Sequence, residues 1–273
     1  MTEPVITSPR HAQDTELLRA RALTMRFGGL TAVDAVDFTV PAGRIVSLIG
    51  PNGAGKTTFF NMLTGLYRPT EGELTYLGTD IMGRAPHDIA QLGISRTFQN
   101  IRLFRELSCV DNVLVGMHTK LCGGVASTLL RLPAQRREER EAIELARDLM
   151  RFVGLHRRHG ELAGSLPYGD QRRLEIARAL ASRPDIVLLD EPAAGMNPQE
   201  TAALVGLMHR IRDELGCTVL LIEHEMKLVM AVSERITVLD FGKVIAEGDA
   251  QAIRDDPAVI AAYLGTDDGV VVA

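Results

Sequence analysis

No run of apolar residues in this 273-residue chain approaches the roughly 20 needed to cross a bilayer. The opening stretch, Met1 to Asp14, is polar and lacks the apolar centre of a signal peptide. The three cysteines, Cys109, Cys122 and Cys217, are too scattered to form a C-x-x-C pair. They read as reduced thiols of a cytosolic protein rather than as a disulfide framework. Basic residues are not in excess: 30 Lys and Arg stand against 35 Asp and Glu, a net charge of −5. No bulk positive field therefore points to nucleic acid. There is no internal repeat, no low-complexity block and no metal-ligand cluster. Any link to a membrane must run through a partner.

What remains is ordinary globular composition, 46% hydrophobic and 24% charged. The length suits one large α/β unit with a smaller inserted part. Its strongest feature is Gly50-Pro51-Asn52-Gly53-Ala54-Gly55-Lys56-Thr57-Thr58. The apolar run Ile45 to Ile49 precedes it and reads as a buried strand; Phe59 to Leu63 follows and reads as a helix. Strand, loop, helix is the context that a G-x-x-x-x-G-K-[ST] phosphate loop requires. Glycines let backbone N–H groups turn inward around a phosphate, because no Cβ blocks the approach. The helix behind adds its positive N-terminal end. Lys56 would reach the β- and γ-phosphates, and the Thr57 hydroxyl would sit on Mg²⁺.

Residues 1–17 and 266–273 read as tails. Short strands are expected at Ala20 to Phe27, Ala35 to Val40, Gly72 to Leu77 and Gly93 to Gln99. From Val110 to Arg183 no strand pattern appears. Helices are expected at Val110 to Met117, Gln135 to Val153 and Gln171 to Ala181. The second of these carries an apolar stripe of Ile143, Leu145, Ala146, Leu149, Met150 and Val153. A mostly helical insertion, about residues 105–183, thus interrupts an alternating β/α chain. Ile186 to Leu189 and Cys217 to Ile222 read as buried strands, with the helix Pro198 to Leu215 between them. Ile236 to Leu239 and Lys243 to Glu247 read as a hairpin through Phe241-Gly242.

Several residues invite a chemical reading. Asp190 and Glu191 end an apolar strand, where α/β sheets place ligands. They are expected on a strand neighbouring the phosphate-loop strand, Asp190 in the Mg²⁺ shell and Glu191 as the base that takes a proton from water. His224 follows the next apolar strand and could donate to the γ-phosphate, although a lone His is more often structural. Phe27, on spacing alone, reads as an ordinary core ring, and Gln99 as a surface amide.

Taken together, GPNGAGKTT, the glutamine of RTFQN, LPYGDQRRLEIARAL, IVLLDEP and the histidine of IEHEM resemble the ATP-binding cassette (ABC) transporter ATPases over about Arg19 to Leu264. The resemblance implies a P-loop NTPase (RecA-like) core with an N-terminal antiparallel β subdomain and the inserted α-helical subdomain. It implies ATP and Mg²⁺ as ligands. By it, Phe27 stacks on adenine, and Gly50 to Thr58 hold the phosphates. Thr57, Gln99 and Asp190 surround the metal. Glu191 is the general base, His224 the switch histidine, and Lys56 a catalytic cation. Asn197 falls where many relatives carry an aspartate that speaks across a dimer.

RTFQNIRLFRELSCVDNVLVG, DEPAAGMNPQET and EHEMKLVM resemble the branched-chain amino acid importer branch. That implies two integral-membrane permease subunits, a second ATPase (paralogue or self) closing a nucleotide sandwich, and a periplasmic or extracellular substrate-binding protein. The chain would then be peripheral, on the cytoplasmic face of the inner membrane. Urea-import and lipopolysaccharide-export ATPases look similar, and a soluble non-transport ABC ATPase is the remaining alternative. In the signature, Tyr168 and Gly169 would face the partner's nucleotide. Pro167 stands where Ser normally donates to that nucleotide's γ-phosphate, and Pro has neither hydroxyl nor N–H. The expectation is an asymmetric pair of sites.

Overall fold

A computed structural model describes residues 11–12, 15–117 and 133–264. The expected tails fall largely outside these residues, although Glu16 and Leu17 already belong to the first strand. The chain begins with a long antiparallel pair, β1 (Glu16–Phe27) and β2 (Leu30–Pro41). Both start earlier than their apolar patterns suggest, because the pairing runs on through register shifts that break the two-residue alternation. Next come β3 (Ile45–Ile49), α1 (Lys56–Leu63), β4 (Glu71–Tyr76), β5 (Thr79–Asp80), α2 (Pro86–Leu92) and β6 (Ile94–Arg96). The helical stretch holds α3 (Cys109–Gly116), α4 (Pro133–Phe152) and α5 (Tyr168–Leu180). Then follow β7 (Ile186–Asp190), α6 (Pro198–Asp213), β8 (Thr218–Ile222), α7 (Met226–Val232), β9 (Arg235–Asp240), β10 (Lys243–Gly248), α8 (Ala250–Asp255) and α9 (Pro257–Leu264).

Two sheets result. One is antiparallel, in the order β2-β1-β4-β5; the other runs β10-β9-β3-β8-β7-β6 and is parallel except for its terminal hairpin. The hairpin turns at Phe241 (φ 43°) and Gly242 (φ 79°), the left-handed pair that matches strand twist. β3, β7 and β8 are buried at every residue, as strands covered on both faces must be. Their alternate residues sort into two cores. Val46, Leu48, Ile186, Leu188, Leu220 and Ile222 pack with α1 and the antiparallel sheet. Ile45, Val187, Leu189, Val219 and Leu221 pack with the helices of the opposite face.

Strand order departs from the sequence reading at one place that matters for the site. β8 lies between β3 and β7, so Asp190 and Glu191 are one strand removed from the phosphate-loop strand. Order is set by which crossover passes over which neighbour, and periodicity carries no trace of that. The strand expected at Gly93 to Gln99 pairs only over Ile94 to Arg96, alongside Ile186 to Leu188. It then leaves the sheet, freeing Phe98 and Gln99. α5 starts at Tyr168 rather than Gln171. Pro167, with φ −55° and ψ 153°, takes the N-cap position, where a missing N–H costs nothing. Among the described residues, no strand lies between β6 and β7.

Candidate functional site

The phosphate loop leaves β3 at Gly50 and enters α1 at Lys56. Gly50 has φ 150°, and a Cβ there would stand 2.0 Å from the Leu239 carbonyl oxygen. Gly55 has φ 99°, and a Cβ would meet the Ala32 carbonyl oxygen at 2.4 Å. No other residue fits either position. The loop is clasped from outside: Gly242 N donates to Ala54 O at 3.0 Å, and Asp34 N donates to Gly242 O at 2.8 Å. Pro51 and Ala54 are buried within this clasp, whereas Asn52, Gly53 and Thr57 are exposed and Thr58 is half-buried. Lys56 is buried, and its Nζ donates to Gly50 O (2.6 Å) and Pro51 O (2.8 Å), the loop's own carbonyls. Burial lowers its pKa, and the charges of Glu191 and Asp190 oppose that shift. The ammonium and the two carboxylates thus share one field.

Around this loop the carboxyl ends of β6, β7 and β8 deliver the remaining groups. Gln99 Nε2 donates to Glu191 Oε2 at 2.9 Å. His224 Nδ1 stands 4.0 Å from Glu191 Oε1, with its ring exposed. Glu191 adopts φ 45°, an unfavourable angle for a side chain of this size. It is held by Glu191 N donating to Ile222 O at 2.9 Å. Asp190 is 2% exposed, and its Oδ2 accepts from Arg96 Nη2 at 2.7 Å. Lys56, Gln99, Asp190, Glu191 and His224 therefore meet at one edge of the sheet. The Thr57 hydroxyl, the Gln99 amide and the Asp190 carboxylate are hard oxygen donors with a single formal charge among them. Such a set suits Mg²⁺ carried in on phosphate oxygens rather than a cation held by protein alone.

Phe27 closes β1 beside the Gly28-Gly29 turn. It is 42% exposed, too open for a core ring. Tyr67 meets it edge-on, at 5.5 Å and 78°. An exposed ring braced from one side leaves a face open on which a base could stack.

Tyr168 and Gly169 sit at the start of α5. The Tyr168 hydroxyl accepts from Arg172 Nη2 at 3.1 Å. A Cβ on Gly169 would stand 2.5 Å from Glu200 Oε1. Glu200 belongs to a capping box at the head of α6, in which Asn197 Oδ1 accepts from Gln199 N and Glu200 N, each at 3.0 Å. Asn197 thus has a local capping duty besides any role across a dimer. Asp170, also buried, pairs with Arg158 at 3.2 Å and with Arg173.

Three contributors went unseen in the sequence. Glu223 is buried and accepts from Ala193 N (2.9 Å) and His224 N (3.1 Å), joining the segments that follow β7 and β8. Burial raises its pKa above the ordinary carboxylate range. Arg172, fully buried on α5, donates from Nη1 to Phe98 O at 2.7 Å and from Nη2 to Gln99 O. Arg96 braces Asp190. Only Glu223, a carboxylate directly after an apolar strand, offered a signal; Ile94-Ser95-Arg96 and the polar first turns of α5 around Arg172 offered none.

The comparisons with known proteins bear on family and fold. A family model described as ABC transporter matches residues 33–194, and one described as branched-chain amino acid ATP-binding cassette transporter matches residues 243–269. The chain is 51% identical over 249 residues to the high-affinity branched-chain amino acid transport ATP-binding protein BraF of Pseudomonas aeruginosa, covering 91% of this chain and 98% of the relative. It is 49% identical, with the same coverage, to the corresponding protein LivG of Escherichia coli strain K12. A crystal structure of the ADP conformation of MJ1267, an ATP-binding cassette of an ABC transporter, superposes with a TM-score of 0.81 at 30% identity, covering 92% of this chain and all of that one.

Proposed function

This chain belongs to the ABC transporter family of ATP-binding cassettes, and from that premise we propose that it powers the uptake of leucine, isoleucine and valine through a membrane permease. The gathering of Lys56, Gln99, Asp190, Glu191 and His224 at one sheet edge, around a glycine-shaped loop, is the observation that carries the reading. The names of its relatives supply the cargo class.

In the proposed reaction, N–H groups of the 50–58 loop and the Lys56 ammonium hold the β- and γ-phosphates, and Phe27 holds the base. Thr57, Asp190 and the Gln99 amide would hold Mg²⁺, which supplies charge neutralisation on the phosphate oxygens when bound. Glu191 takes a proton from water. The water oxygen bonds to the γ-phosphorus, the bond from that phosphorus to the β–γ bridging oxygen breaks, and ADP leaves with the electron pair. His224 donates to the γ-phosphate oxygens as charge builds on them. The protein's part is positioning and charge stabilisation.

Tyr168 and Gly169 head α5, against Glu200 of α6. They suit the nucleotide of a second cassette. We therefore take the working form as a sandwich of two ATPases, paralogue or self, docked on two permease subunits at the cytoplasmic face of the membrane. A substrate-binding protein on the other side completes the system. Residues 18–265 form the ATPase, and about 105–183 its helical arm. No described helix is long and apolar enough to cross a membrane.

Uptake of labelled leucine, isoleucine and valine, with urea as control, tests this in cells whose sole copy carries Lys56→Ala. Loss of all three with urea uptake intact supports the proposal. Intact branched-chain uptake, or loss of urea uptake alone, overturns it.

A further inference from the structure

Arg96 is the last residue of β6, and its guanidinium is nearly enclosed, with 9% of the side chain exposed. Nη2 donates to Asp190 Oδ2 at 2.7 Å. Nη1 donates to Asn61 Oδ1 at 2.8 Å and to Thr64 Oγ1 at 3.1 Å. Asn61 lies on α1 and Thr64 caps its C-terminus. The rings of Phe60 and Phe98 lie 5.6 and 5.8 Å from the guanidinium carbon. Nε is buried and has no hydrogen-bond partner, so the group is held by its two terminal nitrogens and its faces.

A buried carboxylate is costly unless it is paired. Asp190 could have met that need with backbone N–H groups. It is instead paired to a side chain that grips a second element. The planar fork of arginine presents several donors in fixed directions, which an ammonium does not. Here one prong holds β7 and the other holds α1. Thr57 lies one helical turn before Asn61 on α1, and Gln99 lies one residue beyond Phe98. Arg96 therefore touches each of the three elements that carry the metal candidates Thr57, Gln99 and Asp190. Metal-ligating carboxylates depend on outer hydrogen-bond partners for their orientation.

We propose that Arg96 is a positioning residue for the metal edge of the site, locking the Asp190 carboxylate to α1 so that Asp190 and Thr57 keep one spacing. The affinity of the nucleotide-loaded protein for its divalent cation depends on that lock. The proposal rests on the reading that Asp190 and Thr57 hold Mg²⁺.

The test uses the full chain, a non-hydrolysable ATP analogue, and Mn²⁺ as a paramagnetic probe titrated by electron spin resonance. Binding of the analogue in EDTA is measured in parallel. Arg96→Met keeps the apolar packing against Phe60 and Phe98 and removes the fork. It is expected to raise half-saturating Mn²⁺ about 10- to 100-fold while metal-free analogue binding stays within about twofold. Arg96→Lys, retaining charge without the fork, falls between. Asn61→Ala weakens only the α1 side, by removing the shorter of its two contacts, moves Mn²⁺ affinity in the same direction, and decides the matter if Arg96→Met does not fold. Unchanged Mn²⁺ affinity in Asn61→Ala and in folded Arg96→Met, with affinity lost in Asp190→Asn, overturns the proposal and leaves the site reading standing. Equal loss of metal-free analogue binding marks Arg96 as general scaffolding and also overturns it. Wild-type Mn²⁺ affinity in Asp190→Asn overturns the site reading, and the proposal with it.

Discussion

The Gln99 amide donates to the Glu191 carboxylate at 2.9 Å, across the ends of two adjacent parallel strands. Gln99 stands just past β6, in the stretch that departs toward the helical arm, and Arg172 of that arm holds its carbonyl oxygen. One residue thus ties the arm to the proposed base. Gln99→Ala should lower kcat by up to about a hundredfold through misplacement of Glu191, with KM for ATP little changed. Steady-state ATPase assays of the assembled transporter check this; a change in KM alone would place Gln99 in nucleotide binding instead.

Gly50→Ala should fail in the fold before it fails in chemistry. The added methyl would overlap the Leu239 carbonyl at 2.0 Å, on a backbone with φ 150°. A loss of at least about 2 kcal/mol of stability is expected, from strain and overpacking together. Chemical denaturation of the purified variant measures it. Gly53→Ala, whose Cβ meets nothing within 4 Å, should lose much less.

The signature departs from its usual form at Pro167, which caps α5 without a side-chain hydrogen bond. Pro167→Ser restores a hydroxyl and should raise the ATPase rate of the paired cassettes. An unchanged rate would show that the missing hydroxyl limits nothing and would remove the argument for unequal sites.

Glu223 carries a pH signature. Burial holds its carboxyl above the ordinary carboxylate range. Ionising it in the folded state therefore costs stability. The cost is fully present above the raised folded-state value and is relieved as pH falls toward the unfolded-state value. Glu223→Gln, neutral and of the same shape, should gain thermal stability relative to wild type as pH rises from 5 to 8. Melting curves across that range check the trend. A difference independent of pH would mean that the carboxyl is not held in this way.

The local parts of the site were legible in the sequence and its assembly was not. The phosphate loop announces itself because Gly50 and Gly55 occupy conformations only glycine adopts, and Lys56 follows at fixed spacing. The buried strands Ile45–Ile49, Ile186–Asp190 and Thr218–Ile222 stand out as short, mostly apolar runs. The placement of β8 between β3 and β7 is a property of crossovers, so no periodicity records it. Gln99 by itself is an exposed amide, and only the exit of β6 from the sheet brings it to Glu191. Arg96 was hidden because its strand, Ile94–Arg96, is too short to show a pattern and Asp190 lies 94 residues further on, and Glu223 because the Ala193 N–H it holds lies 30 residues away. The short helices Pro86–Leu92 and Met226–Val232 have too few turns to display an amphipathic stripe.

The most direct test of the account is ATP turnover by the Glu191→Gln protein together with its partner cassette and permease. The account predicts that Mg·ATP still binds, that hydrolysis falls by about a hundredfold or more, and that a closed nucleotide-bound dimer accumulates. Wild-type turnover by Glu191→Gln would contradict it.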